Sequence, residues 1–309
     1  MRLRHLWFMN SDSAQNPPSG VALWVAGARP RTLPAAVVPV VVGAACALEA
    51  DDQVWWRIAL ALVVSLSLQV GVNYANDYSD GVKGTDEKRV GPLRLVGSGL
   101  ASPSSVKRAA FAALGVAGAT GLVLAATTTW WLLVVGAAAM VAAWTYTGGP
   151  KPYGYIGLGE LFVFIFFGVV ATVGSTFVVI EDVTTTSVLA SVAVGLFACA
   201  LLVINNLRDI PGDTVAGKKT LAVRLGDART RALFYVELLL AAVVIVITAF
   251  TSNGFALLGL LGVIAAFPAV SMVRGGAKGR DLIPVLGAVG RAQLVFGVSY
   301  AVGLALAFA

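Results

Sequence analysis

Ser187-Val-Leu-Ala-Ser-Val-Ala-Val-Gly-Leu-Phe-Ala-Cys-Ala-Leu-Leu-Val-Ile-Asn205-Asn-Leu-Arg-Asp209 decides the fold. Eighteen residues, Ser187 to Ile204, carry no charge, and two amides, a cation and a carboxylate follow at once. Crossing a hydrocarbon layer of about 30 Å takes roughly 20 apolar residues as a helix. The run has no period-2 alternation, and a backbone in lipid must satisfy its own hydrogen bonds. It therefore reads as a membrane helix that ends in a polar cluster.

Working outward, eight more such runs fill the chain. All nine cover residues 22–48, 55–76, 107–127, 129–147, 156–180, 187–207, 231–250, 254–273 and 285–308. The expectation is an all-α bundle of nine transmembrane helices forming a single domain over 1–309, with a polar N-terminal segment over 1–20. Composition agrees: 58% of the 309 residues are hydrophobic, 12% are charged and mean hydropathy is +0.85, too little polar surface for a water-soluble globule. The apolar stretch Leu6 to Met9 is too short for a signal-peptide core, so no cleaved leader is expected. The only histidine is His5, and the two cysteines, Cys46 and Cys199, sit inside apolar runs. Histidine-base catalysis, disulfide frameworks and CxxC sites are excluded, leaving carboxylates, amides and cations to do the chemistry.

Cationic loops stay cytoplasmic, and with the N-terminus inside, 21 of the 22 Lys and Arg fall on that side. Only Arg57 is left outside, with Glu49, Asp51, Asp52, Glu181 and Asp182 in the opposite loops. The expected setting is the cell inner (plasma) membrane, with the polar cavity facing the cytoplasm. The net charge of +6 reflects topology and attraction to anionic membrane lipid; no nucleic-acid partner is expected.

Two of the cytoplasmic ends resemble each other like a weak repeat. The second run ends in Asn73-Tyr-Ala-Asn76-Asp77-Tyr-Ser-Asp80-Gly-Val-Lys83, the sixth in Asn205-Asn-Leu-Arg208-Asp209-Ile-Pro-Gly-Asp213. Asn73, Asp77 and Asp80 are spaced i, i+4, i+7, and Asn205, Asp209 and Asp213 i, i+4, i+8, so each trio lies on one helix face. Pro211 is expected to break the second helix before Asp213. Converging carboxylates need a cation between them, and oxygen donors without His or Cys select a hard ion such as Mg²⁺, which usually accompanies phosphate. Lys83, Lys88, Arg89, Arg94, Lys151, Arg208, Lys218 and Lys219 lie close by to meet a polyanion. Gly212 to Lys219 imitates a phosphate-binding loop but carries Lys219 where the hydroxyl belongs, and Gly154 to Gly159 lacks a dinucleotide fold's strand, so neither is read as a nucleotide site.

These motifs together resemble the UbiA superfamily of intramembrane aromatic prenyltransferases, in its branch acting on 1,4-dihydroxy-2-naphthoate. The likeness rests on Ala28-Arg-Pro-Arg-Thr-Leu-Pro34, Asn76 to Gly84, Gly91-Pro-Leu-Arg94, Pro152 to Glu160, Asn205 to Asp209 and Ala216 to Ala222. It departs from the superfamily's NDxxDxxxD pattern at Gly84, where a third acidic ligand would stand. The resemblance implies Mg²⁺, a polyprenyl diphosphate donor, and demethylmenaquinone as product after loss of CO₂ and diphosphate. On that basis Asp77, Asp80, Asp209 and Asp213, with Asn73 and Asn205, are expected to hold metal, and Asn76 and Arg94 to bind substrate. Lys83 and Arg208 are the expected diphosphate clamps. Tyr146, Tyr153 and Tyr155 either shield an allyl cation or form an interfacial belt; Lys151 is the expected partner of the acceptor carboxylate and Glu160 a candidate base. Arg29 and Arg31 either bind acceptor or phosphate or snorkel to the interface. Two alternatives stand beside this reading: a related enzyme acting on 4-hydroxybenzoate or homogentisate, and a secondary transporter, whose polar groups belong near the midplane.

Overall fold

The computed structural model describes residues 18–85 and 93–308. Residues 1–17 of the polar segment, the cations Lys88 and Arg89, and Gly91 and Pro92 lie outside the described residues. Among those described, every regular element is helical. In chain order they are α1 (Gly20–Ala28), α2 (Pro34–Cys46), α3 (Trp56–Val82), α4 (Pro103–Thr127), α5 (Trp131–Thr145), α6 (Gly159–Ile180), α7 (Thr185–Val215), α8 (Leu221–Thr251), α9 (Gly254–Arg274) and α10 (Gly279–Ala305). Seven of them, α3, α4 and α6 to α10, are long and apolar enough to cross a membrane, and the bent pair α1–α2 makes an eighth. The fourth expected run is the short apolar helix α5, whose 15 residues rise about 22 Å.

Two boundaries differ from the sequence reading. The first run is not one continuous helix: α1 and α2 meet at a 54° bend. Pro30 disfavours helical geometry at the preceding residue, and Arg29 takes the left-handed conformation, φ 55° and ψ 71°. Pro211, conversely, does not break α7, which runs on to Val215. A proline there forfeits one hydrogen bond near the helix end, and the last turn is closed by the amides of Ala216 on Gly212 O (2.9 Å) and Lys218 on Asp213 O (2.8 Å). Asp213 therefore stays on the helix.

The bundle is organised about α7, which buries 72% of its apolar stretch against 28% for α3 and α4. Phe197 and Ile204 of α7 pack with Phe234 and Ile245 of α8 and Phe296 and Tyr300 of α10, all fully enclosed. The Phe197 and Phe296 rings stack at 4.3 Å. Toward α6 the contact uses small residues: a Cβ on Gly168 would stand 2.6 Å from the Cα of Gly195, so only glycine permits this approach. Around it α6 winds as a π-helix over Phe164–Val170. Large side chains such as Leu239, Phe250, Ile264 and Phe267 face outward in numbers a water-facing surface does not carry. The protein is an integral membrane protein.

The two ends of the bundle differ chemically. At one, Arg57 donates to Glu181 Oε1 (2.7 Å), to Val178 O (3.1 Å) and to Thr127 O, beside exposed Trp55, Trp56, Trp130 and Trp131, a ring of interfacial aromatics. The other gathers the ends of α3 and α7.

Candidate active site

Asp80 lies in the last turn of α3, almost fully buried, and is the meeting point of that end. Tyr155 Oη donates to its Oδ1 at 2.5 Å, Lys218 Nζ to the same oxygen at 3.2 Å, and Arg94 reaches Oδ2 at 3.5 Å. Lys218 also stands 4.0 Å from Asp213 Oδ1, so one ammonium links the carboxylates of α3 and α7. Tyr155 presents its ring to two cations, Lys218 at 4.5 Å and Lys83 at 4.9 Å. Lys83 Nζ donates to Thr147 O at 2.7 Å, and Thr147 Oγ1 to Asn76 Oδ1 at 2.8 Å, tying the α5–α6 loop to α3. Burial lowers the Lys83 pKa below the ordinary lysine value; Asp80 opposes the shift and Lys218 adds to it.

The other members of the α3 trio have different partners. Asp77 is fully buried, and its two oxygens accept the backbone amides of Leu95 (2.7 Å) and Val96 (3.0 Å). It thereby holds the loop that carries Arg94. Asn73 donates to Ala28 O (2.8 Å) and Thr32 Oγ1 (2.9 Å), while Gln69 donates to both Thr32 Oγ1 and Asn73 Oδ1, so this amide braces the α1–α2 bend. Seven residues of helix separate Asn73 from Asp80 by about 10 Å along the axis, and one face at that spacing meets three different neighbours. The bend keeps Arg29 in the electrostatic field of Asp77, whereas Arg31 is exposed.

On α7, the buried Arg208 engages Asp209 through Nε (2.7 Å) and Nη2 (2.8 Å), and Nη2 also donates to Asn205 Oδ1 (2.9 Å). Its Nη1 is buried without a hydrogen-bond partner among the described residues. The α5–α6 loop closes over this end: Lys219 N donates to Tyr155 O at 2.8 Å. Tyr146 and Tyr153 meet edge to face at 5.4 Å, and Tyr153 stacks on Phe162 at 4.0 Å. Burial raises the Tyr146 pKa, helped by Glu160, Tyr153, Asp80 and Asp213, and burial alone raises that of Tyr153, so both phenols stay neutral. Glu160, at the head of α6, is buried and accepts Asn206 Nδ2 at 2.8 Å. Lys151 is exposed on the same loop.

Among the described residues no three acidic, His or Cys side chains converge into a ready cation cage. The donor set nevertheless suits Mg²⁺, which takes one or two carboxylates and completes its shell with water and substrate phosphate. Asp80, Asp209 and Asp213, with Asn76 and Asn205, are oxygen donors at two adjoining helix ends. Thr147 and Asn206 join the network without having been singled out, Lys218 was named only among the nearby cations, and Glu237 is buried farther inside α8. Only Glu237 had a clear signal, as a lone acid inside an apolar run.

Known proteins share the sequence and the fold of this chain. A "1,4-dihydroxy-2-naphthoate octaprenyltransferase" of Mycobacterium tuberculosis is 51% identical over 284 residues, 92% of this chain and 97% of that one. One of the same name in Escherichia coli is 38% identical over 67% of this chain and 70% of its own. Among solved structures, the apo UbiA homolog from Aeropyrum pernix superposes with a TM-score of 0.69 at 17% identity, covering 89% of this chain and 98% of that one. The Archaeoglobus fulgidus UbiA homolog bound to DMAPP and Mg²⁺ gives 0.62 at 15% identity, covering 90% and 99%. Residues 36–283 match the UbiA prenyltransferase family. With the family's fold around two carboxylate-bearing helix ends, and with relatives this similar over nearly their whole length, the chain belongs to the UbiA prenyltransferase family.

Proposed function

We propose that the protein transfers a polyprenyl group from polyprenyl diphosphate to 1,4-dihydroxy-2-naphthoate, releasing CO₂ and diphosphate and giving demethylmenaquinone. The acceptor assignment is carried by the 51% identity to a naphthoate octaprenyltransferase across 97% of that relative. The diphosphate belongs at the α3–α7 rim, where Asp80, Lys218 and Asp213 adjoin, and the apolar tail among the helices. The cleft and N-terminus face the cytoplasm from the inner membrane, as the one-sided sorting of Lys and Arg supports.

Asp80, Asp209 and Asp213, with Asn76 and Asn205, are the residues we assign to Mg²⁺, which when bound supplies positive charge to the leaving diphosphate oxygens. Lys83, Lys218 and Arg94 add fixed cations at the same rim, and Arg208 offers its remaining Nη1. Asn73 and Asp77 act one step back, holding the bend with Arg29 and the loop with Arg94. The rings of Tyr146, Tyr153 and Tyr155 present electron-rich faces to a developing allylic cation. Lys151, exposed on the loop above, is our choice for the acceptor carboxylate.

Purified protein in detergent, given Mg²⁺ and a long polyprenyl diphosphate, should prenylate 1,4-dihydroxy-2-naphthoate with release of CO₂ and turn over 4-hydroxybenzoate poorly. Chelation should stop the reaction and added Mg²⁺ restore it. Equal turnover of 4-hydroxybenzoate would move the protein to another acceptor, and activity with divalent ions verified absent would overturn the metal assignment.

A further inference from the structure

Between α4 and α5 lies an apolar groove of about 460 Å³, lined by Phe111, Gly115 and Gly118 of α4 and by Met140, Val141 and Trp144 of α5. Its floor is Leu114, which is buried against α3: a Cβ on Gly71 would lie 2.9 Å from the Leu114 side chain. A Cβ on Gly115 would meet nothing within 4 Å, so the lack of a side chain there keeps the groove open. At Gly118 the same atom would stand 3.7 Å from Met140 Sδ, which narrows the inner end. Phe111 and Val141 are exposed, so the open side faces lipid.

The mouth of the groove is cationic. Lys107, Phe111, Leu114 and Gly118 recur at helical spacing, so Lys107 heads the stripe of α4 that lines the groove. Its Nζ stands 5.5 Å from the centre of the Tyr78 ring; that ring stacks on Trp144 at 6.0 Å, and Trp144 meets Phe111 at 4.8 Å. Arg108 is exposed beside it, and no ion pair among the described residues reaches either cation. No charged residue occurs between Arg108 and Lys151. An occupant matched to this surface has an anionic head and an apolar chain.

The polyprenyl diphosphate has both, but its head belongs at Asp80, and Asp80 and Tyr78 are two residues apart on α3, about 200° around the axis. Asp80 turns to Tyr155 and Lys218, whereas Tyr78 turns to Lys107 and Trp144. The cleft and the groove therefore lie on opposite faces of that helix end, and the bilayer itself supplies the groove with chains.

We propose that the α4–α5 groove binds an anionic phospholipid, its acyl chain lying over Gly115 and Gly118 and its phosphate held by Lys107 and Arg108. Basic groups at the membrane interface select the charge of the head, and the groove fixes one chain beside them. Seated there, the chain backs Trp144 and, through it, Tyr78. The lipid thus buttresses the turn of α3 that carries Asp80 from the face opposite the cleft.

The test uses the full chain, delipidated in detergent, with phosphatidylglycerol and phosphatidylcholine of identical acyl chains, and reads binding by native mass spectrometry. Wild type should half-saturate at about tenfold lower phosphatidylglycerol than phosphatidylcholine, and K107Q/R108Q should erase the difference. G115L should lose both lipids while melting without lipid as wild type does. A phosphatidylglycerol with a photoreactive diazirine on its chain should label residues 111–118 and 140–145 of the wild type, which decides the site even where G115L fails to fold. Equal affinity for the two lipids in the wild type, undiminished binding in a folded G115L, or labelling elsewhere would overturn the proposal. Displacement of the label by polyprenyl diphosphate would overturn it in favour of the donor's tail, and loss of a dimer in G115L would overturn it in favour of a second copy of this chain.

Discussion

The ends of α3 and α7 look alike in sequence, each an Asn and two Asp on one helix face, yet the structure satisfies them in different currencies. On α3, backbone does the work: Asp77 takes two amides and Asn73 holds a carbonyl and a hydroxyl of the bend, so Asp80 alone is left facing the cleft. On α7 a side chain does it: Arg208 gathers both Asn205 and Asp209, and Asp213 leans on Lys218. The first end is thus braced by fixed dipoles, the second by a network of charged side chains. Equal spacing sets which face residues occupy, while neighbours decide which of them remain free to act.

Substitutions that exchange the two kinds of support test that contrast. The largest effect falls on Asp80, where both ends meet: D80A should cut turnover by about 10³-fold with little change in melting temperature. R208Q comes next, since it removes the guanidinium that holds both Asp209 and Asn205 and should destabilise the protein by about 3 kcal/mol, partly recovered in the R208Q/D209N double variant, as read from melting in detergent. D77N replaces one acceptor by a donor and should cost about 2 kcal/mol with faster proteolysis of residues 93–101. D213N should instead leave melting unchanged and raise the Mg²⁺ concentration needed for half-maximal rate; equal behaviour of the two would dissolve the distinction between brace and ligand.

The smallest effect is electrostatic. Lys83 has its pKa lowered by burial, so its ammonium is lost at a lower pH than that of a surface lysine. The KM for the diphosphate donor should therefore begin to rise on the alkaline side below the usual lysine range, and K83R should flatten that rise because arginine stays charged. A profile identical in the two proteins would remove Lys83 from the clamp.

Hydropathy made the apolar helices legible because each must satisfy lipid locally, and the charge asymmetry separated Arg57 and Glu181 from the Asp80 end before any contact was known. The bend at Arg29 was legible too, in Pro30 and Pro34, but a long apolar run outweighed it in the reading. Pro211 misled in the other direction, since a proline near a helix end forfeits too little to stop it. The contacts of Asp77 and Asn73 were not legible at all. Asp77 accepts backbone amides 18 and 19 residues away and Asn73 donates to Ala28 O and Thr32 Oγ1 across the bend, and a backbone group leaves no mark in residue identity. Lys218 was visible only as one cation among many, because its place between Asp80 and Asp213 depends on how the loop after α7 folds back.

The π-wound turns of α6 bear on how this chain tolerates insertion and deletion. Helical residues advance by about 100° each, so removing one residue between Phe164 and Val170 would turn everything on its N-terminal side by roughly that angle. Glu160 would swing off Asn206 while Thr176, below the turns, kept its bond to Gly43 O. The widened turns act as a phase setter, fixing the rotation of the Glu160 half of α6 independently of the half that grips α2. A single-codon deletion there should leave a folded protein with Glu160 pointing at the wrong neighbour, a lesion of register rather than of any side chain.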